Sequence, residues 1–332
     1  MSSLTISKRC LIAFIVSFLL SLIAGKLVIP LLKKMKAGQN ILCYLKEHFC
    51  KSGTPTMGGL FFLPGAVIVF FCLSLKDKSV ATLSSVVALS YMTVGFLDDF
   101  IKIRFCRNEG LTPLQKILFQ LAVAVISTIF AYRFSLTKVY VPFTDQLIDL
   151  GAWFFPLSIF AFVATTNCVN LTDGLDGLAG TVSKYALLGA VVLIFVQTTF
   201  FDVHVVKNEY YNLALFSVAV IGATDGFLIY NTNRASVFMG DTGSLSLGGL
   251  FASVMIFSGN ALYIPIIGIM FVVSGISVIV QVISYKLTKR RVFLMAPLHH
   301  HFQHKGASES KIVFAYGAVT LMAVAISLIN YL

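Results

Sequence analysis

Residues 152–180 read "AWFFPLSIFAFVATTNCVNLTDGLDGLAG". From Ala152 to Cys168 the stretch is almost wholly apolar, close to the ~20 residues a helix needs to cross a bilayer core. It then turns within a dozen positions into Asn170, Asp173 and Asp176, interleaved with Gly174, Gly177 and Gly180. A spanning helix that ends in carboxylates and bare backbone sets the two questions for the whole chain: how many such runs there are, and whether their polar ends meet.

Nine further runs lie near 10–32, 56–75, 79–97, 114–132, 182–200, 211–230, 243–258, 260–286 and 311–331. The chain has 332 residues, 58% hydrophobic and 12% charged, with a mean hydropathy of +0.89, well beyond a soluble domain. These figures predict an all-α integral membrane protein of about ten transmembrane helices, a single polytopic domain over 1–332. No internal repeat, low-complexity tract or separate soluble domain interrupts it. The first run continues to Leu32, longer than the ~7–15 apolar residues of a signal peptide. Six cysteines (Cys10, Cys43, Cys50, Cys72, Cys106, Cys168) form no CxxC pair, so neither a disulfide framework nor a zinc site is expected.

The net charge of +11 would suggest nucleic acid in a soluble protein; in a spanning one its distribution sets orientation, and no nucleic-acid partner is expected. Loops after runs 1, 3, 5, 7 and 9 hold fifteen Lys or Arg, counting Lys286 and Lys311 at the run ends, against seven on the other side. By the positive-inside rule the odd-numbered exits face the cytoplasm and both termini are extracytoplasmic.

The polar motifs fall on that same side. They are "KSGTPTMGG" (51–59), "FLDDFIK" (96–102), "NLTDGLDGLAG" (170–180), "NTNRASVFMGDTGS" (231–244) and "MAPLHHHFQHKG" (295–306). Loops of an alternating topology that carry such motifs converge when the bundle folds them over one cleft at the cytoplasmic face. Span ends ordinarily recruit Lys, Arg, Trp or Tyr rather than paired acids, so Asp98 and Asp99 stand out. Lys102, four residues after Asp98, shares its helix face. Asn170, Asp173 and Asp176, three apart, gather on one edge of a helical or 3₁₀ turn and leave glycine backbone open to a ligand. Asp241, between Gly240 and Gly243 and followed by Thr242 and Ser244, adds a fifth acid, with Lys51, Lys102, Lys116 and Arg234 nearby.

Hard oxygen donors with few cysteines favour Mg²⁺ or Mn²⁺. Such a metal beside cations suits a phosphate-bearing substrate. His299, His300 and His301 are expected to contact substrate; in an extended segment His299 and His301 would share a side and could clasp a metal. Asp225 lies inside the seventh run, five residues from its cytoplasmic end, and is left out of the site.

Together these motifs closely resemble the phospho-N-acetylmuramoyl-pentapeptide transferases, within the polyprenyl-phosphate N-acetylhexosamine-1-phosphate transferases, membrane enzymes of about ten helices that often dimerise. The resemblance implies Mg²⁺-dependent transfer of phospho-MurNAc-pentapeptide from UDP-MurNAc-pentapeptide to undecaprenyl phosphate in the inner (cytoplasmic) membrane, with a homodimer expected. It implies Asp241 as the metal ligand, Asp98 as the base for the lipid phosphate, and Asp99 and Asp173 as the rest of the acidic site. It places Gly174, Asp176, Asn231 and Phe238 around the uridine, with Phe238 stacked on uracil. Lys51, Thr56, Lys102, Lys116, Asn170, Gln281 and the three histidines match polar positions of the same cleft. A lipid phosphate is largely ionised at neutral pH, its second pKa being ~6 by analogy with phosphorylated side chains; an aspartate nucleophile is the alternative to a base.

Two segments depart from the family pattern: Arg234 stands where a proline is usual, and "NILCYLKEHFC" (40–50) lacks the usual Gly-Pro and basic residues. A sister enzyme transferring N-acetylglucosamine-1-phosphate shares the aspartates but not "PLHHHF". A secondary transporter would place its acids near the midplane in repeated halves, a pattern this chain lacks.

Overall fold

The computed structural model describes residues 5–34, 53–105, 109–144, 146–200 and 207–331. Lys51, Cys43, Cys50, Cys106 and the segment 40–50 lie outside the described residues. Each of the ten apolar runs coincides with a helix: α1 (Ile6–Lys34), α2 (Gly59–Leu73), α3 (Ser79–Arg104), α4 (Pro113–Arg133), α5 (Phe154–Thr172), α6 (Leu178–Phe200), α7 (Lys207–Asn231), α8 (Gly240–Phe257), α9 (Ile264–Ile267) continued by α10 (Ile269–Thr288), and, after a short α11 (Leu298–His304), α12 (Glu309–Ser327). Among the described residues eight helices are long and apolar enough to cross a membrane, and the molecule is a multi-pass α-helical membrane protein. The run 260–286 is divided at Gly268, just after the four residues of α9.

α2, with 15 residues, and α8, with 18, are not among those eight. For α8 the reason is its place in the bundle. Every α8 residue except Asp241 is buried, so the helix faces protein on all sides and does not need the hydropathy of a lipid-facing span. Its small residues let neighbouring backbones close in, as membrane helix packing favours. A Cβ at Gly248 would lie 2.7 Å from the Thr166 Cα of α5. The hydroxyls of Ser244, Ser246 and Ser253 turn back onto the carbonyls of Gly240, Gly243 and Leu250, which satisfies them without a ligand. α1 uses a different device: Ala13, Ser17, Ser21, Gly25 and Ile29 recur every four residues along its buried face. Against that stripe lies α7, where a Cβ at Gly226 would come 2.6 Å from the Phe18 carbonyl.

One end of the bundle is tied by amides and caps. Arg9 Nη1 donates to the Leu73 carbonyl at 2.6 Å. Glu209 accepts from the N–H groups of Ser79 and Val80 at the start of α3, a favourable place for an anion. Gln197 and Asn260 exchange hydrogen bonds of 2.7 and 2.9 Å. At this end the connection between α4 and α5 forms an antiparallel hairpin, Lys138–Tyr140 with Leu147–Asp149. That hairpin gives the connection between α4 and α5 a defined structure. Asp225 forms a 2.7 Å ion pair with Lys184 of α6, which balances its charge.

Candidate active site

The opposite end gathers the acids, and helix-start signals explain how. Thr112 caps α4: its hydroxyl accepts from the Gln115 N–H, the Gln115 side chain accepts from the Thr112 N–H, and Pro113 opens the helix. This capping box fixes the first turn that carries Lys116. The preceding residue, Leu111, donates its N–H to Asp98 Oδ1 at 2.8 Å. Asp99, fully buried, accepts from the Asp241 N–H, the Thr242 N–H and the Thr242 hydroxyl at 3.3, 3.0 and 2.7 Å. A side chain from α3 therefore caps the start of α8. Gly240, at φ 70°, turns the chain into that cap.

The result is a compact charged cluster. Asp98 Oδ2 is 2.6 Å from Lys102 Nζ, the i,i+4 partner anticipated from sequence. Asp241 Oδ2 lies 3.1 Å from Lys102 Nζ and 2.7 Å from Lys116 Nζ, while Oδ1 accepts from Asn170 at 2.7 Å. Asn170 also donates to Ser244 Oγ, at 2.8 Å. One oxygen from each of Asp98, Asp99 and Asp241 falls within 4.8 Å of the others, the one grouping among the described residues able to hold a metal ion. Three carboxylates face two ammonium groups, so one formal negative charge is left over. Asp173, at the end of α5, lies beside this cluster and is held towards its neutral form. Its carboxyl is pushed well above the usual range, first by burial and then by Asp241, Asp99 and Asp176. Hard oxygens with surplus negative charge fit a divalent cation such as Mg²⁺.

The histidines are arranged differently from the extended-strand expectation. Residues 298–304 form a helix, so successive side chains diverge. His299 is fully buried, with both ring nitrogens unpartnered, and burial together with His300 pushes its pKa down to about 3. A Cβ at Gly174 would strike His299 Nε2 and lie 3.0 Å from His300 Nε2. Gly174 is thus required by the packed imidazoles. His300 pairs through Nδ1 with Gln303. His301 Nδ1 accepts from the Leu294 N–H and belongs to the loop rather than to a metal clasp.

The remaining predicted residues divide by task. Thr56 is buried, its hydroxyl unpartnered beside Gly240 and Asp99. Asp176 accepts from the Ala235 N–H. Asn231 accepts from the Gly177 N–H and donates to the Val237 carbonyl. The half-buried Phe238 bonds through its main chain to Pro55 and Gly58, knitting two loops. Gln281 takes the N–H groups of Val292 and Phe293 and donates to the Phe293 carbonyl. Arg234 is exposed at φ 64°, a conformation closed to proline. Leu111 and Gly95 are parts of the site that sequence reasoning did not single out, and Thr242 and Ser244, noted there only as neighbours of Asp241, bond to Asp99 and Asn170. For Ser244 the signal was its i,i+3 spacing from Asp241.

Residues 81–259 match the model of glycosyl transferase family 4. Residues 51–63 match phospho-N-acetylmuramoyl-pentapeptide-transferase signature 1. Similar proteins named phospho-N-acetylmuramoyl-pentapeptide-transferase come from Thermoanaerobacter sp. (strain X514), 42% identical over 96% of this chain and 98% of the relative, and Clostridium perfringens (strain SM101 / Type A), 42% identical over 96% and 95%. Another, from Desulfitobacterium hafniense (strain DSM 10664 / DCB-2), is 39% identical over 98% of each chain.

Proposed function

The chain belongs to the phospho-N-acetylmuramoyl-pentapeptide-transferase family, within glycosyl transferase family 4, and from that premise we propose how its acidic cluster serves the reaction. The enzyme transfers phospho-MurNAc-pentapeptide from its UDP carrier to undecaprenyl phosphate, giving UMP and undecaprenyl-diphospho-MurNAc-pentapeptide (lipid I), in peptidoglycan synthesis. An oxygen of the lipid phosphate forms a bond to the sugar-bearing phosphorus, and the bond from that phosphorus to the UMP oxygen breaks.

The observation that carries the assignment of the site is the Asp98–Asp99–Asp241 cluster facing Lys102 and Lys116. Asp241 is proposed to hold Mg²⁺. Bound there, the ion would neutralise charge on the transferring phosphoryl group. Lys102 and Lys116 are placed to exchange Asp241 for diphosphate oxygens as the donor arrives. Asp99 spends both oxygens on the start of α8 and Lys102, so its part is to hold Asp241 in place. Asp173, Gly174, His299 and His300 are proposed to line the donor side. Thr56, Asn170 and Lys51 are proposed as polar contacts of the same cleft. Asp176, Asn231, Phe238, Gln281 and His301 are proposed to shape it through the loops they hold, with the Phe238 ring stacking on uracil.

The ten-helix order, the charge bias and the shared end of the acids support ten spans, with the cleft cytoplasmic and the termini outside, in one domain of the inner membrane. A homodimer is proposed from the family resemblance alone. The muramoyl donor is favoured over UDP-GlcNAc by the family signature and by the histidine helix. Purified protein should release UMP only when UDP-MurNAc-pentapeptide, undecaprenyl phosphate and Mg²⁺ are all present. Turnover of UDP-GlcNAc instead would reassign the donor, and silence with both from folded protein would remove the transferase reading.

Asp98 was expected to act as the base. Both its oxygens are engaged, by Lys102 and by the Leu111 N–H, and the acceptor arrives ionised, so we assign it the orientation of Lys102. Asp98→Asn should slow transfer yet leave the acid limb of kcat/KM near pH ~6, where the lipid phosphate gains its second charge. Loss of that limb in Asp98→Asn would make Asp98 the base after all.

A further inference from the structure

One helical turn from the charged cluster, deeper in the bundle, a second polar pair joins the same two helices. Gln120 of α4 is fully buried, and Asn167 of α5 is half-buried. Asn167 Nδ2 donates to Gln120 Oε1 at 2.7 Å, and Gln120 Nε2 donates back to Asn167 Oδ1 at 3.4 Å. Asn167 donates further to the Val163 carbonyl at 2.8 Å. The main chain of Gln120 is engaged too, because its carbonyl accepts from the Tyr91 hydroxyl of α3 at 3.2 Å. Tyr91 is fully buried, and a Cβ at Gly249 of α8 would strike its ring. Gln120 thus sits where the helices carrying Asp98, Lys116, Asn170 and Asp241 come together.

The spacing is what gives the pair a task. Lys116 lies four residues before Gln120 and Asn170 three after Asn167, so each shares a helix face with its amide neighbour. Lys116 and Asn170 are 3.5 Å apart and grip the two oxygens of Asp241, each at 2.7 Å. A reciprocal amide pair among apolar helices fixes register, because sliding or rotating one helix would strand the polar groups of both side chains. Neither amide reaches the carboxylates, so the pair acts through Lys116 and Asn170.

We propose that Gln120 and Asn167 are positioning residues of the transferase, an amide clamp that sets the α4–α5 register and with it the Lys116–Asn170 grip on Asp241. The proposal rests on the reading of the acidic cluster as the transfer site. Partners one layer behind a metal ligand commonly change metal affinity or activity by about 10–100-fold when removed. A clamp of this kind should therefore lower kcat and weaken divalent-metal binding, with little change in donor KM.

The test compares wild type with Gln120→Leu, the double variant Gln120→Leu/Asn167→Leu, and the exchange Gln120→Asn/Asn167→Gln, all in detergent. The double variant removes both amides and leaves no buried polar group orphaned, which guards against simple unfolding; thermal melting checks it. Mn²⁺ affinity, read from the free-ion paramagnetic signal, gives a readout independent of turnover. The expected result is a double variant that melts near wild type, binds Mn²⁺ about 10–100-fold more weakly and loses kcat in proportion, with the exchange variant recovering part of both. A folded double variant with wild-type Mn²⁺ affinity and kcat would overturn the clamp. Wild type that binds Mn²⁺ but transfers nothing would instead overturn the reaction reading and leave the clamp to be judged on affinity.

Discussion

Asp241→Ala is expected to lower kcat by about 10³-fold, the loss of roughly 4 kcal/mol of transition-state stabilisation. One carboxylate gathers Lys102, Lys116 and Asn170, so its removal dissolves the centre of the site rather than one contact in it. The fold should survive. The start of α8 is held by Asp99 through main-chain N–H groups and the Thr242 hydroxyl, none of which needs the Asp241 side chain. Lys102 keeps Asp98 at 2.6 Å, and Lys116 keeps Asn170. UMP release and thermal melting measured on the same preparation check both halves. Activity within ten-fold of wild type in a folded variant would mean that the chemistry is centred elsewhere.

Gly95→Leu is expected to do the opposite, damaging the bundle first and activity as a consequence. A Cβ at Gly95 would strike the carbonyl carbon and oxygen of Asp241 and lie 2.6 Å from the Thr242 nitrogen. These are backbone atoms of a helix buried on all sides, so relief requires α3 and α8 to separate. Separation pulls Asp99, one turn along α3, away from the groups it caps. Overpacking of this kind costs about 1–3 kcal/mol and more where backbone cannot yield. A large drop in melting temperature, together with loss of transfer, is therefore expected. Gly65→Leu serves as the control, since a Cβ there meets only Leu20 Cβ, at 3.9 Å. Equal melting of the two variants would show that the α3–α8 approach is not the tight point.

Much of this was legible before the fold. Apolar runs such as 114–132 and 311–331 became helices because a lipid-spanning segment has few other ways to satisfy its backbone. The paired acids of "FLDDFIK" met Asp241 because all the polar motifs sat at one end of alternating spans. What stayed hidden depended on tertiary approach. Asp176, Asn231 and Gln281 read as ligand contacts from sequence, and the main-chain groups of Ala235, Val237 and Phe293 that they also serve take their positions only in the folded chain. The three histidines follow Pro297, which begins a helix, so the extended reading put His299 and His301 on one side when helix geometry separates them. Gly95 is one small residue in an apolar run, and nothing in its spacing announces the α8 backbone behind it. Gln120 and Asn167 did carry a signal, as amides within or beside apolar runs, and only the structure pairs them.

The most direct measurement is Mn²⁺ binding to the purified protein and to Asp241→Ala, followed by the paramagnetic signal of the free ion, with UMP release measured alongside. The expected result is one bound Mn²⁺ per chain that supports transfer in wild type, and loss of both in Asp241→Ala. Unchanged Mn²⁺ binding in a folded Asp241→Ala protein would contradict the assignment of this carboxylate cluster as the metal-dependent transfer site.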